Sequence, residues 1–173
     1  VLDKLQATAW TTDPGRNHGL VRHVLRPFAE QSIGACPAGQ VEPHMGTITA
    51  LCDGDDVHEI IDNITGQSTE DPWLVKARDS LAHGSPLAAS WIHHQLWVTR
   101  HMSLAQVFQS EIRLVTNIVR HPEFAEGVRA LLIDKDRTPQ WQFSRSRDIP
   151  AAALAQFFAE PWAQNPLADL GRD

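Results

Sequence analysis

The chain has 173 residues, with 15 Lys and Arg against 21 Asp and Glu, a formal net charge of −6 and 42% hydrophobic residues. That length suits one domain or part of one. The acidic balance excludes the basic face of a nucleic-acid binder, and no apolar run is long enough to cross a bilayer, so neither nucleic acid nor membrane is an expected partner.

The signals are helical almost throughout. Leu2 and Leu5 suggest a short first helix, and Asp13-Pro14-Gly15 reads as a turn. Leu20, Val21, Val24, Leu25 and Phe28 then recur at helical spacing, with Pro27 predicting a kink or an early end near Ala29. Residues 32–40 hold Gly34, Pro37 and Gly39 and read as a loop. A short helix follows Pro43. Asp55 or Asp56 should cap the next, whose Val57, Ile60, Ile61 and Ile64 make an i, i+3, i+4, i+7 stripe. Asp71 with Pro72 starts another to about Ala82, and Ser85-Pro86 opens one through Arg100. Ser103 caps a helix to Arg120, His121-Pro122 starts the next, and a last one covers Ala151 to Ala159. Strand signals are nearly absent, so the expected class is all-α.

Cys36 and Cys52 have neither metal-ligand nor disulfide-framework spacing and read as free, buried thiols in a reducing compartment. No charged segment followed by an apolar one directs export. The chain opens on Val1 in what reads as mid-helix, which makes a piece of a longer protein the expectation.

Two positions are anomalous. On the helix from Ser103 to Arg120, the residues Leu104, Val107, Phe108, Ile112, Val115, Ile118 and Val119 share one face, and Glu111 projects from its middle. A carboxylate there should be a paired structural charge, with Arg129 as its partner, or a general acid or base. Gly127 falls on the buried face of the helix that holds Phe124, Val128, Leu131 and Leu132, where a missing side chain lets another helix come close. The nine histidines include no H-E-x-x-H pair, and "DGDDVHE" at 53–59 lacks the ligand order of a calcium loop, so no metal is expected. No phosphate loop, G-x-S-x-G elbow or paired nucleophile is present. From its residues alone the chain reads as an interaction or scaffold module.

"SPLAASWIHHQL", "SLAQVFQSEIRLV" and "EFAEGVRALLIDKDRTPQW" resemble the C-terminal part of the enoyl-CoA hydratase/isomerase (crotonase) superfamily, and more narrowly its 3-hydroxyisobutyryl-CoA hydrolase branch. Glu126 to Trp141 fits the branch pattern E-G-V-R-A-x-L-I-D-K-D-x-x-P-x-W. The resemblance implies three segments: 1–84, similar to the helical insertion of the hydrolase branch; 85–141, the terminal superfamily helices; and 142–173, a tail with one helix. It implies the helical C-terminal region of a crotonase-like fold whose α/β core, a β-β-α spiral carrying the catalytic carboxylate and oxyanion amides, is not in this chain. No catalytic residue is therefore carried over, Glu111 included.

The implied role is to pack on that N-terminal core and wall the acyl-CoA pocket, often at a subunit interface, which makes the core, acyl-CoA and a second copy in a homo-oligomer the expected partners. Acyl-CoA would be substrate and no cofactor is expected. The implied reaction is thioester hydrolysis in valine catabolism, in the cytoplasm or, in a eukaryote, the mitochondrial matrix. An enoyl-CoA hydratase or isomerase tail is the enzyme alternative, and a free-standing helical interaction or oligomerisation module the alternative of another kind. In related hydratases the lysine of a terminal E-K-R contacts the CoA nucleotide. Lys135 matches it, displaced by one inserted residue. Asp134 and Asp136 oppose the helix dipole, which calls for pairing with Arg137, Arg129 or a partner chain. Pro139 should stop the helix and Trp141 fold back to cover it.

Overall fold

The computed structural model describes residues 1–171, and these are helical without a strand. They divide into two compact units, Val1–Met45 and the chain from Gly46 onward. That division falls within a helix and differs from the boundaries at 84 and 141 read from the sequence.

In the first unit, α1 (Leu2–Gln6) is followed by α2 (Pro14–Ser32). Asp13 is the N-cap of α2, its carboxylate accepting from the N–H groups of Gly15 and Arg16 at 2.8 and 3.4 Å. The expected turn is therefore a helix start, with Pro14 at the first helical position where its missing N–H costs nothing. The helix also continues past Pro27 to Ser32. A 3-10 turn, Ile33–Ala35, ends it, and neither element holds a buried residue. Lys4 sits 5.1 Å from the centre of the Phe28 ring. The helix α3 (Val41–Cys52) spans the division between units and starts before Pro43, which occupies its first turn.

In the second unit five successive helix starts carry a polar cap. Asp56 caps α4 (Val57–Thr65) and Asp71 caps α5 (Pro72–His83). Ser85 caps α6 (Pro86–Thr99), and Ser103 with Gln106 forms a reciprocal capping box on α7 (Leu104–Arg120). His121 accepts through Nδ1 from the N–H of Glu123 at the start of α8 (Pro122–Val128). Such caps satisfy N–H groups that the helix itself leaves free. The expected last helix is α9 (Ala151–Ala155) tightening into a 3-10 turn, Gln156–Phe158.

Leu87 of α6, Leu114 of α7 and Phe157 form the core, flanked by Trp91, Ile118, Phe143, Ile149 and Phe158. Behind it the buried Gln95 and Ser110 join α6 to α7 at 3.2 Å. Asn117 donates to the carbonyls of Phe157 and Ala159, each at 2.9 Å, and so fixes the 3-10 turn Gln156–Phe158 on α7. His58 meets Ser146 at 2.8 Å and Arg147 pairs with Asp62 at 2.9 Å, which ties α4 to the 3-10 turn Ser146–Asp148.

Three expectations about burial are corrected. Cys36 and Cys52 are free but exposed. On α7 the buried residues are Ser110 and Leu114, whereas Leu104, Phe108, Val115 and Val119 are exposed. Glu111 lies within that exposed stripe and is itself exposed, so it is not a buried charge. The helix folds with one edge of its apolar face inward and offers the rest to solvent.

Candidate functional site

The densest set of polar contacts surrounds the end of α8. The chain does not stop there but widens into one π-turn, Arg129–Ile133, closed by the N–H of Asp134 donating to the Arg129 carbonyl at 2.8 Å. The N–H of Arg137 then returns to the Ala130 carbonyl at 3.0 Å. Between these bonds Lys135 and Arg137 take φ values of 57° and 56°, the left-handed region that costs a residue with a Cβ about 1–2 kcal/mol.

One guanidinium holds this turn. Arg129 donates to both oxygens of Glu126, at 2.8 and 2.7 Å, and to Asp134 and Asp136 at 2.7 and 2.6 Å. Its expected pairing with Glu111 is replaced by these three carboxylates, which lie within seven residues of it in sequence. Of the partners open to Asp134 and Asp136, the structure selects Arg129. Its hydrogen bond, followed by the N–H of Gln140, holds the Glu126 carboxyl down to about 2. Asp136 is lowered by Arg129 and then by the N–H of Thr138, and Arg129 is raised, chiefly by Glu126.

Glu123 and Glu126, one turn apart on α8, clamp the segment beyond. Glu126 accepts from the N–H of Gln140 at 2.7 Å and Glu123 from that of Gln142 at 2.9 Å. Alternate N–H groups of an extended chain point the same way, which suits two acids on one helix face. Glu123 also accepts from the Ser85 hydroxyl, whose oxygen in turn accepts from the N–H of Ala88. That hydroxyl is engaged on both sides as a cap. The sequence reading overlooked this clamp: the i, i+3 spacing in "EFAEG" puts two acids on one face but does not say what they hold.

Trp141 folds back as expected. Its indole N–H donates to the His83 carbonyl at 3.0 Å, and a Cβ on Gly127 would lie 3.4 Å from the ring. The close approach at Gly127 thus belongs to an indole and not to another helix. Beside it opens an apolar cavity of about 350 Å³, lined by Trp91, Phe124, Leu131, Leu132 and Phe157, with His121 and Glu123 at its polar edge. Leu131, Leu132 and Ile133 on the π-turn are 59%, 68% and 69% exposed. Lys135 is exposed and makes no ion pair among the described residues. Among the described residues no three His, Cys, Asp or Glu side chains gather as metal ligands, and no helix is long and apolar enough to cross a membrane.

The geometry defines a helical region with an open apolar wall and a braced, cation-bearing turn. The chain belongs to the enoyl-CoA hydratase/isomerase family, whose pattern it matches over residues 1–158. It is 32% identical over 123 residues to a mitochondrial 3-hydroxyisobutyryl-CoA hydrolase of Danio rerio, covering 70% of this chain and 32% of that protein. To the Rattus norvegicus enzyme of the same name it is 29% identical over 139 residues, covering 80% of this chain and 36% of the relative. In structure it is similar to an enoyl-CoA hydratase from Rhodobacter sphaeroides 2.4.1, with a TM-score of 0.63 and 25% identity over 73% of this chain and 37% of the other. The chain spans about a third of the length of these relatives.

Proposed function

We propose that this chain is the helical part of an acyl-CoA-processing enzyme, a thioesterase of the 3-hydroxyisobutyryl-CoA hydrolase kind. It packs on a catalytic core N-terminal to it and walls the CoA pocket. The observation that carries the reading is the apolar face left open on α6, α7 and the π-turn, where Ile92, Leu96, Leu104, Phe108, Val115 and Leu132 are all exposed. An apolar surface this extensive marks a contact yet to be made, and relatives of which the match covers only about a third carry the additional chain to make it.

The core supplies the chemistry: two backbone amides polarise the thioester carbonyl, where charge develops, and a carboxylate assists hydrolysis. The residues of this chain bind and exclude water. Lys135, left without an acidic partner because Arg129 engages Asp134 and Asp136, meets the anionic end of CoA. Beside that packing surface, the chain contributes to contacts between copies in a homo-oligomer.

The test compares 3-hydroxyisobutyryl-CoA hydrolysis with enoyl-CoA hydration by the full-length gene product. Hydrolysis that exceeds hydration, with Lys135→Gln raising KM at unchanged kcat, supports the reading. Hydration without hydrolysis moves the chain to the hydratase side of the family. A gene product that starts at Val1 and folds as a monodisperse monomer overturns the packing role.

A further inference from the structure

Arg137 and Lys76 line a second depression, which shares only Leu131 and Trp141 with the cavity beside Trp91. It is a groove of about 900 Å³ between α5 and the chain after the π-turn, whose walls also include Val75, Leu131, Pro139 and Trp141. Lys135 is not among its lining residues. The volume is that of a site for a ligand of nucleotide size.

The charges in this groove do not cancel. Asp79 is its one lining carboxylate, and it is bonded to Arg78 at 3.0 Å. The three acids nearest Arg137 in the turn, Glu126, Asp134 and Asp136, are all held by Arg129. Lys76 and Arg137 are exposed and make no ion pair among the described residues. In a chain of net charge −6, two free cations therefore share a groove whose carboxylate is already engaged. Arg137 is also held at φ 56°, a backbone state that persists only where surrounding bonds enforce it. Here its own N–H bond to Ala130 and the Arg129 clamp on either side do so. Trp141, Leu131, Pro139 and Val75 add an aromatic and aliphatic part to the same lining, a surface that takes a flat ring.

We propose that this groove binds a phosphate monoester carried on a planar, ring-bearing ligand, the phosphate lying between Lys76 and Arg137 and the ring against Trp141 and Leu131. Neither cation is a residue the acyl-CoA reading uses, so the proposal stands or falls separately from it. Two sources of that chemistry exist: a free nucleotide-like monoester, or the ribose 3′-phosphate of a coenzyme A molecule.

The test is calorimetric titration of the protein with AMP, adenosine, inorganic phosphate, CoA and dephospho-CoA. AMP should bind more tightly than either adenosine or phosphate. Lys76→Gln and Arg137→Gly should each weaken AMP binding by roughly fivefold and the double variant by more, as removing a cation from an anion's reach does. Glycine at 137 accepts the left-handed backbone, so that variant keeps the turn while removing the charge. Arg22→Gln, an equal charge change on α2, should leave binding unchanged. CoA that binds like AMP, is weakened by both variants and exceeds dephospho-CoA identifies the coenzyme as the source. CoA that fails to compete with AMP identifies a free monoester. Equal binding of AMP and adenosine, or AMP binding untouched by Lys76→Gln and Arg137→Gly, overturns the proposal whatever the outcome of the hydrolysis assay.

Discussion

Phe157 is the position where the fold is most exposed to a single change. It is one of the two largest fully buried side chains, at 2% exposure, and sits on the 3-10 turn that follows α9, against Leu87 and Leu114. Its ring also lies 4.8 Å from that of His121 at 49°, an inclined arrangement that aromatic rings favour. A phenylalanine hides roughly 150–250 Å². At about 25 cal/mol per Å² that is a gross burial term of about 4–6 kcal/mol. Alanine keeps only the Cβ part and leaves a cavity, so Phe157→Ala should cost about 3–5 kcal/mol. For a chain of this size that lowers Tm by about 6–20 °C. Thermal unfolding followed by circular dichroism measures it, with Phe157→Leu as the milder control, which nearly preserves volume. A fall below about 3 °C in the alanine variant would refute the placement of Phe157 as the centre of the core.

Ser103→Ala removes half of the α7 capping box and should cost about 1 kcal/mol, read as a small drop in Tm. An unchanged Tm would mean that the α7 N-terminus frays regardless. Lys135→Gly relieves a left-handed backbone at φ 57° and should raise stability by about 1 kcal/mol; a loss would mean that the lysine side chain is itself a structural contact. Carboxyl NMR titration should find Glu126 near 2 in the native protein and back toward the ordinary carboxylate range in Arg129→Gln, because Arg129 is the largest cause of the shift. The sign follows from linkage. A carboxyl depressed in the folded state contributes stability above its unfolded value of 4.5 and loses it as pH falls toward about 2. The native protein should therefore gain more stability between pH 2 and 5 than the Arg129 variant; parallel pH profiles would contradict the clamp.

Much of this architecture was legible where a residue type has one physical use. Asp56, Asp71, Ser85, Ser103 and His121 each mark a helix start because an oxygen or ring nitrogen beside a free N–H has a defined place in sequence. The return of Trp141 was legible too, from Pro139, although Gly127 reads from the sequence as room for another helix and in the structure makes room for the indole. Glu111 was misjudged for a reason that periodicity cannot overcome. A helical stripe reports that a face is apolar, not whether this stretch of chain covers it, and the Leu104 to Val119 stripe is left open. Pro27 and Pro43 misled in the opposite sense: neighbouring turns carry α2 across the one hydrogen bond that Pro27 lacks, and Pro43 lies in the first turn of α3, where an N–H has no partner within the helix in any case. The Glu123 and Glu126 clamp depends on backbone N–H groups 14 and 19 residues away, and side-chain patterns say nothing about those.

The π-turn bears on how this chain is compared with its relatives. An α-helical turn uses 3.6 residues, and a π-turn admits one more without unwinding the helix. Closing the Asp134 N–H onto Arg129, five residues back, therefore stores a one-residue insertion inside the turn. The resemblance sets Lys135 one position late against the family motif, and a π-turn before it is the kind of step that takes up such an offset. A relative with an ordinary α-turn here would be one residue shorter through 129–135 while its hydrogen-bond ladder continued in step, so comparison across the family at this point is best made along that ladder.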